Sequence, residues 1–248
     1  MKRLLLVVLV LAGCSPQPTH VDVTQKKRDS ATVHTELGAG YFSRGQYAVA
    51  LQELKEAIKS DSSYAPAYNV RGLVYMTLRE NDKAEENFER ALSLSPQDSD
   101  INNNYGWFLC QTKREAESIK HFSAAFSNPL YATPEKAYLN AGICSQRMND
   151  IKGAEKYYRE ALQIRPGLPQ ANLGLAGIYF QAGNYGLARR FLSNYMRMGE
   201  PTAESLWLGI RIERAAGGSD AEADYAAQLK NRFPDSREAQ DLMDGKFK

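Results

Sequence analysis

A-P-A-Y-N-V-R-G-L-V-Y-M-T-L-R-E-N-D-K-A-E-E-N-F-E-R-A-L-S-L-S-P-Q-D, residues 65–98, is a 34-residue stretch that reads as two helices joined by a turn. Tyr68, Gly72 and Tyr75 fall at i, i+4 and i+7, on one face of the first helix. Ala84, Phe88 and Ala91 repeat that spacing on the second. Glycine and alanine let the two backbones approach, and the aromatic rings fill the space beside them. Asn81-Asp82 is expected to make the turn. Ser95-Pro96 is expected to end the second helix, because proline disfavours helix in the residue before it. One hairpin of this kind cannot bury its apolar face alone, so copies should stand beside it.

They do. Residues 31–64 carry Gly38, Tyr41, Ala50, Leu54 and Ala57 in register. Residues 99–132 keep Gly106, Phe122 and Ala125, with Asn102 and Leu109 in place of the aromatics and Ser118 in place of an alanine. After two inserted residues, Thr133-Pro134, residues 135–168 return with Tyr138, Gly142, Ala154, Tyr158, Ala161 and Pro166. Residues 169–202 keep Leu175, Ala176, Tyr179, Ala188 and Leu192, and 203–234 form a degenerate pair around Gly217-Gly218. Pro234-Asp235-Ser236 is expected to start a last short helix ending near Met243. This order of large and small residues resembles the tetratricopeptide repeat, whose unit is 34 residues. The expected fold is all-α: a right-handed tetratricopeptide-repeat solenoid of about six helix-turn-helix units over residues 30–245, closed by a C-terminal capping helix. No segment reads as a strand.

The chain opens with Met1-Lys2-Arg3 and a short apolar run from Leu4 to Leu11, too short to span a bilayer as a helix. Small residues then precede Cys14. Residues 1–13 read as a cleaved secretory signal, and Leu11-Ala12-Gly13-Cys14 resembles the bacterial lipobox, in which the cysteine is lipidated. The alternative is an ordinary signal peptide with a coincidental cysteine. One acyl chain binds a membrane marginally and two or more bind stably; lipoproteins of that kind carry several. Ser15 follows the cysteine where an aspartate commonly marks inner-membrane retention in such lipoproteins. The expected location is therefore the outer membrane, on its periplasmic face. Residues 14–29, with two early prolines and no period, are expected to be a lipidated tether, and Asp29 or Ser30 to cap the first helix. Without Lys2 and Arg3 the chain holds 29 basic and 29 acidic residues. That balance argues against nucleic-acid binding, which needs a basic surplus.

Subtracting the packing positions leaves a second apolar stripe. Positions 5, 9, 12 and 13 of each first helix lie roughly opposite the packing face, at about 100° per residue. There stand Phe42, then Asn69, Leu73 and Met76, then Asn103 and Trp107, then Leu139 and Ile143, with Leu173 and Phe180 beyond. Each could be covered by neighbouring helices. As a set they read as a partner-binding groove, apolar and rimmed by asparagine, suited to a peptide segment. Lys136 and Arg147 have no basic partner in the first repeats, so a carboxylate clamp of the co-chaperone kind is not expected.

With Cys14 lipidated, Cys110 and Cys144 remain. They occupy positions 12 and 10 of consecutive repeats, about 200° apart around the helix, so opposite flanks of adjacent helices can face each other. An oxidising periplasm favours a disulfide there; the alternative is two buried free thiols. Catalytic signals are thin. His20, His34 and His121 are scattered, and the chain has no H-E-x-x-H, C-x-x-C, P-loop, dinucleotide fingerprint or nucleophile elbow. Acid pairs such as Glu85-Glu86 lie among Lys83 and Arg90, as on a solvated helix face. No enzyme activity, cofactor, metal or small-molecule substrate is expected.

The third repeat departs most from the pattern. Its run Ile101-Asn102-Asn103-Asn104-Tyr105-Gly106-Trp107-Phe108-Leu109-Cys110 resembles the signature of the type IV pilus biogenesis lipoproteins, the PilF/PilW family. The likeness extends through the lipobox, the repeats, Asn140-Ala141-Gly142-Ile143-Cys144 and the closing Asn231-Arg232-Phe233-Pro234. It implies an outer-membrane lipoprotein acting as a pilotin, which assists assembly of the pilus secretin. It also implies a disulfide between the two matching cysteines, and names no catalytic residue. A repeat-lipoprotein adaptor for another envelope complex, recruiting a protease or a cell-wall enzyme, is the competing expectation.

Overall fold

The computed structural model describes residues 23–247, and these are built from helices alone. Six hairpins follow one another: α1 (Val23–Ser43) with α2 (Tyr47–Ser60), α3 (Ala65–Thr77) with α4 (Asn81–Leu94), and α5 (Ser99–Gln111) with α6 (Glu115–Phe126). Then come α7 (Pro134–Arg147) with α8 (Ile151–Ile164), α9 (Pro169–Gln181) with α10 (Tyr185–Met198), and α11 (Ala203–Ala216) with α12 (Ser219–Arg232). A short α13 (Arg237–Met243) closes the chain.

The small residues of each first helix meet a large side chain of the second. A methyl group placed on Gly38 would stand 2.8 Å from Leu54, on Gly72 or Gly106 2.9 Å from Phe88 or Phe122, and on Gly142 2.6 Å from Tyr158. Those distances are too short for real contacts, so glycine is required for the helices to come this close. Leu54, Phe88, Phe122 and Tyr158 are correspondingly buried.

The turns are set by one recurrent backbone conformation. Gly45, Arg79, Lys113, Asn149, Gly183 and Gly217 all have positive φ, between 60° and 76°, and all occupy position 15 of their repeats. In the second repeat this corrects the expected turn. Asn81-Asp82 already lies in α4, and Arg79, at φ 60°, reverses the chain. A left-handed arginine gives no glycine or asparagine signal, which is why the sequence pointed two residues too late.

The N-terminal boundary also shifts. Helix α1 starts at Val23, so the expected tether gives way to helix over residues 23–29, and Asp29 and Ser30 lie inside the helix instead of capping it. Gln25 bonds Asp29 one turn on at 2.7 Å, and Arg28 reaches Asp61 at 3.1 Å while lying over the Tyr64 ring. Ser30 bonds Ser60, on α2, at 3.0 Å. The contacts to the end of α2 and to the loop that leads into α3 support about two extra turns. The expected signal sequence, the lipobox-like run and Cys14 lie outside the described residues. At the other end Ser236 caps α13, its hydroxyl accepting from the Ala239 amide at 3.1 Å. Helix α13 and Phe247, whose ring stacks on Trp207 at 5.4 Å, cover the core formed by Leu206, Ile210 and Leu229.

Candidate binding face

Each first helix touches the first helix of the next hairpin, whereas no second helix touches another second helix. The layer whose members are in contact follows the shorter arc, so α1, α3, α5, α7, α9 and α11 line the concave side. The apolar side chains left over in the repeats lie on this layer. Phe42, Leu73, Met76, Trp107, Leu139 and Ile143 are all half-buried, one flank packed on the core and the other open. Leu73 and Met76 rest on Phe88, Tyr105 and Phe108, and Trp107 rests on the Cys110–Cys144 region. Met76 and Trp107 face each other across a cavity of about 400 Å³, with Arg79, Gln111 and Thr112 at its polar edge. Phe42 packs beside Tyr47, with ring centroids 6.0 Å apart. Leu139 and Ile143 pack on the C-terminal core, and Ile143 opens into a second, larger cleft.

Asn69 and Asn103 were expected to rim the groove as exposed amides. They are instead 8% and 7% exposed and engaged with each other's neighbours. Asn104 donates to Asn69 at 3.2 Å, Asn103 donates to Asn104 at 3.5 Å, and Asn140 donates to Asn103 at 3.0 Å. The result is an amide ladder across α3, α5 and α7. Position 5 lies at the seam where adjacent first helices touch, so an amide there is taken up by the next helix. Asn104 and Asn140 were missed as members; the three-asparagine run 102–104 was the available signal. Asn102 serves differently: it donates to the carbonyls of Pro96 and Asp98, and its oxygen faces His121 Nδ1 at 3.1 Å. With Asn102 oriented by its two donor bonds, Nδ1 is the donor in that contact.

Cys110 and Cys144 are joined in the structure, with Cα atoms 5.9 Å apart and both side chains buried. Hydrogen bonds to their partners lower Asp61, Glu117 and Asp244 and raise Arg114 and Arg189, whereas burial dominates at several tyrosines and one histidine. Burial raises Tyr105 and Tyr131 to about 12 and raises Tyr158 further. Burial also lowers His121, against the opposing pull of Glu117. Among the described residues no group of three or more His, Cys, Asp or Glu side chains is arranged to hold a metal ion. No described helix is long and apolar enough to cross a membrane.

Models of the tetratricopeptide repeat match residues 38–78, 65–98 and 147–199. The type IV pilus assembly protein PilF of Pseudomonas aeruginosa is 30% identical over 97% of this chain and 98% of its own length. This chain belongs to the PilF/PilW family. The crystal structure of PilW, described as a widely conserved type IV pilus biogenesis factor, superposes with a TM-score of 0.79 at 39% identity, over 86% of this chain and 98% of that one. The structure of Pseudomonas aeruginosa PilF superposes with a TM-score of 0.84 at 29% identity, over 89% of this chain and the whole of that one. This PilF/PilW member is thus a type IV pilus biogenesis protein built as a repeat solenoid.

Proposed function

We propose that this protein is a non-catalytic pilotin, anchored to the periplasmic face of the outer membrane through lipid on Cys14. In this reading its concave face binds a segment of the pilus secretin and promotes secretin assembly. The observation that carries it is the set of half-buried apolar side chains on successive first helices, from Phe42 through Leu73, Met76 and Trp107 to Ile143, on a chain related to PilF over nearly its full length. A half-buried Trp and Met across an open cavity are what a partner side chain would cover. The lipobox-like run before Cys14 supports the anchor. The joined cysteines suit an oxidising compartment.

The test is genetic and biochemical. Deleting the gene should abolish SDS-resistant secretin multimers and surface pili, and a Leu73→Ala, Trp107→Ala double variant should reproduce the loss while retaining helical circular dichroism. Normal multimers in the deletion strain would remove the secretin role and favour an adaptor for another envelope complex. Cys14→Ser should release the folded protein from the outer-membrane fraction; continued sedimentation with that fraction would refute the lipid anchor.

A further inference from the structure

The larger concave cleft, about 580 Å³, lies among α7, α9 and α11, in the half of the solenoid that the row of groove residues only begins to enter. Leu173, Phe180, Trp207 and Leu208 form apolar walls. Two arginines line it, Arg147 from α7, its guanidinium turned towards α5, and Arg211 from α11. The Arg211 guanidinium carbon lies over the Phe180 ring, 4.6 Å from its centroid, and its Nε–H is buried with no hydrogen-bond partner among the described residues. A buried unsatisfied donor is uncommon and costly, and guanidinium presents that edge to carboxylates in paired bonds. Among the described residues neither Arg147 nor Arg211 has a carboxylate at ion-pair distance, whereas nearby Arg189 and Arg214 hold Glu213 and Glu222 at 2.6 Å. Arg147 instead touches the Cys110 carbonyl at 3.5 Å and Gln111 at 3.2 Å.

Gly177 supplies an independent observation. It lies inside α9 and lines the cleft, and a methyl group there would meet nothing within 4 Å. Glycine inside a helix weakens it. Gly72 and Gly142 repay that by admitting Phe88 and Tyr158; Gly177 admits no side chain of this chain. Its space belongs to the cleft, where it lets another backbone come close.

We propose that this cleft receives an extended segment of a partner protein through an internal Asp or Glu side chain. The carboxylate pairs with Arg211 and Arg147, the main chain passes over Gly177, and a neighbouring apolar side chain rests on Phe180 and Trp207. The acid is internal because the path continues past the arginines: Arg147 stacks on Trp107 at 5.5 Å and bonds Gln111, and both line the adjoining cavity. Glu204 lines the same cleft, two turns before Arg211 on α11 and about 10 Å along the axis. That distance is about three residues of extended chain, so a Lys or Arg three residues from the acid complements Glu204. The inference rests on the concave layer being a docking face, and not on which protein docks.

The probe is an array of acetylated and amidated hexapeptides in which one Asp or Glu and one Lys or Arg are moved through an apolar background, bound by the detergent-solubilised full-length protein. Binding should concentrate where acid and base stand three residues apart, and replacing Glu by Gln in those peptides should lower it about tenfold. Arg211→Gln and Arg147→Gln should produce comparable losses. Gly177→Leu, whose side chain starts where a Cβ meets nothing within 4 Å and extends into the cleft, should abolish binding while leaving the melting temperature at or above that of the parent. Selection without dependence on the acid, or binding undiminished in both Arg211→Gln and Gly177→Leu, would overturn the proposal. Binding confined to peptides with a free C-terminus would overturn the internal acid. If the array behaves as expected while the Leu73→Ala, Trp107→Ala variant leaves secretin multimers intact, the cleft stands and the secretin reading falls.

Discussion

Gly142→Ala and Gly177→Ala are the same chemical change on equivalent first helices, and the structure requires opposite outcomes. Helix propensity alone favours alanine at both sites by about 1 kcal/mol. At Gly142 the added carbon would lie 2.6 Å from the Tyr158 ring. That ring is held from several directions. Its other face is held by Gly174, its side chain is 2% exposed, and its hydroxyl donates to Gln146 at 2.9 Å. Overpacking of this kind costs about 1–3 kcal/mol, leaving Gly142→Ala destabilised by up to about 2 kcal/mol after the propensity gain. At Gly177 the carbon meets nothing within 4 Å, so the gain stands, at about 0.5–1 kcal/mol. For a chain of this size 1 kcal/mol moves the melting temperature by about 2–4 °C. Thermal unfolding followed by circular dichroism at 222 nm should thus show Gly142→Ala melting several degrees below the parent and Gly177→Ala slightly above it. Shifts of the same sign in both variants would refute either the close α7–α8 approach or the openness of the cleft.

Replacing Cys110 and Cys144 together by Ala, or reducing the parent, should lower stability by about 3–4 kcal/mol on the chain-entropy model for a closure of this length; an unchanged urea midpoint, or two alkylatable thiols in fresh protein, would show that no bond forms. Arg79→Gly and Lys113→Gly relieve left-handed backbone at φ 60° and 65° and should each raise the urea midpoint, by about 0.5–1 kcal/mol in stability; a loss at either site would refute the turn geometry. Burial lowers His121, so the unfolded chain takes up a proton near the usual histidine value of about 6.5 before the folded chain does. Its contribution is complete above that value and is lost as pH falls below it. Urea midpoints measured from pH 7.5 to 5.5 should fall more steeply in the parent than in His121→Gln, and parallel profiles would refute the buried neutral imidazole.

The hairpins were legible because helix packing leaves a periodic mark. Gly38, Gly72, Gly106 and Gly142 recur at one position opposite Leu54, Phe88, Phe122 and Tyr158, and each pair lies within a single repeat. The start of α1 was not legible, because residues 23–29 have no core-facing period and are held by contacts of Arg28 with Asp61 and Tyr64. Asn69 and Asn103 were placed on the right layer but given the wrong exposure. Helical periodicity states which way a side chain points, and says nothing of how near the next helix comes.

By itself the sequence determined the period, the two-helix unit, the residues consumed in packing within each unit and the apolar remainder on the first helices. These are local properties, expressed within one 34-residue span. Only the tertiary structure decided that Asn140, Asn103, Asn104 and Asn69 form one ladder and that Arg147 and Arg211, two repeats apart, share a cleft over Gly177. Such meetings depend on the rotation from each hairpin to the next. That rotation arises from the summed packing of every interface between repeats, and no single repeat encodes it.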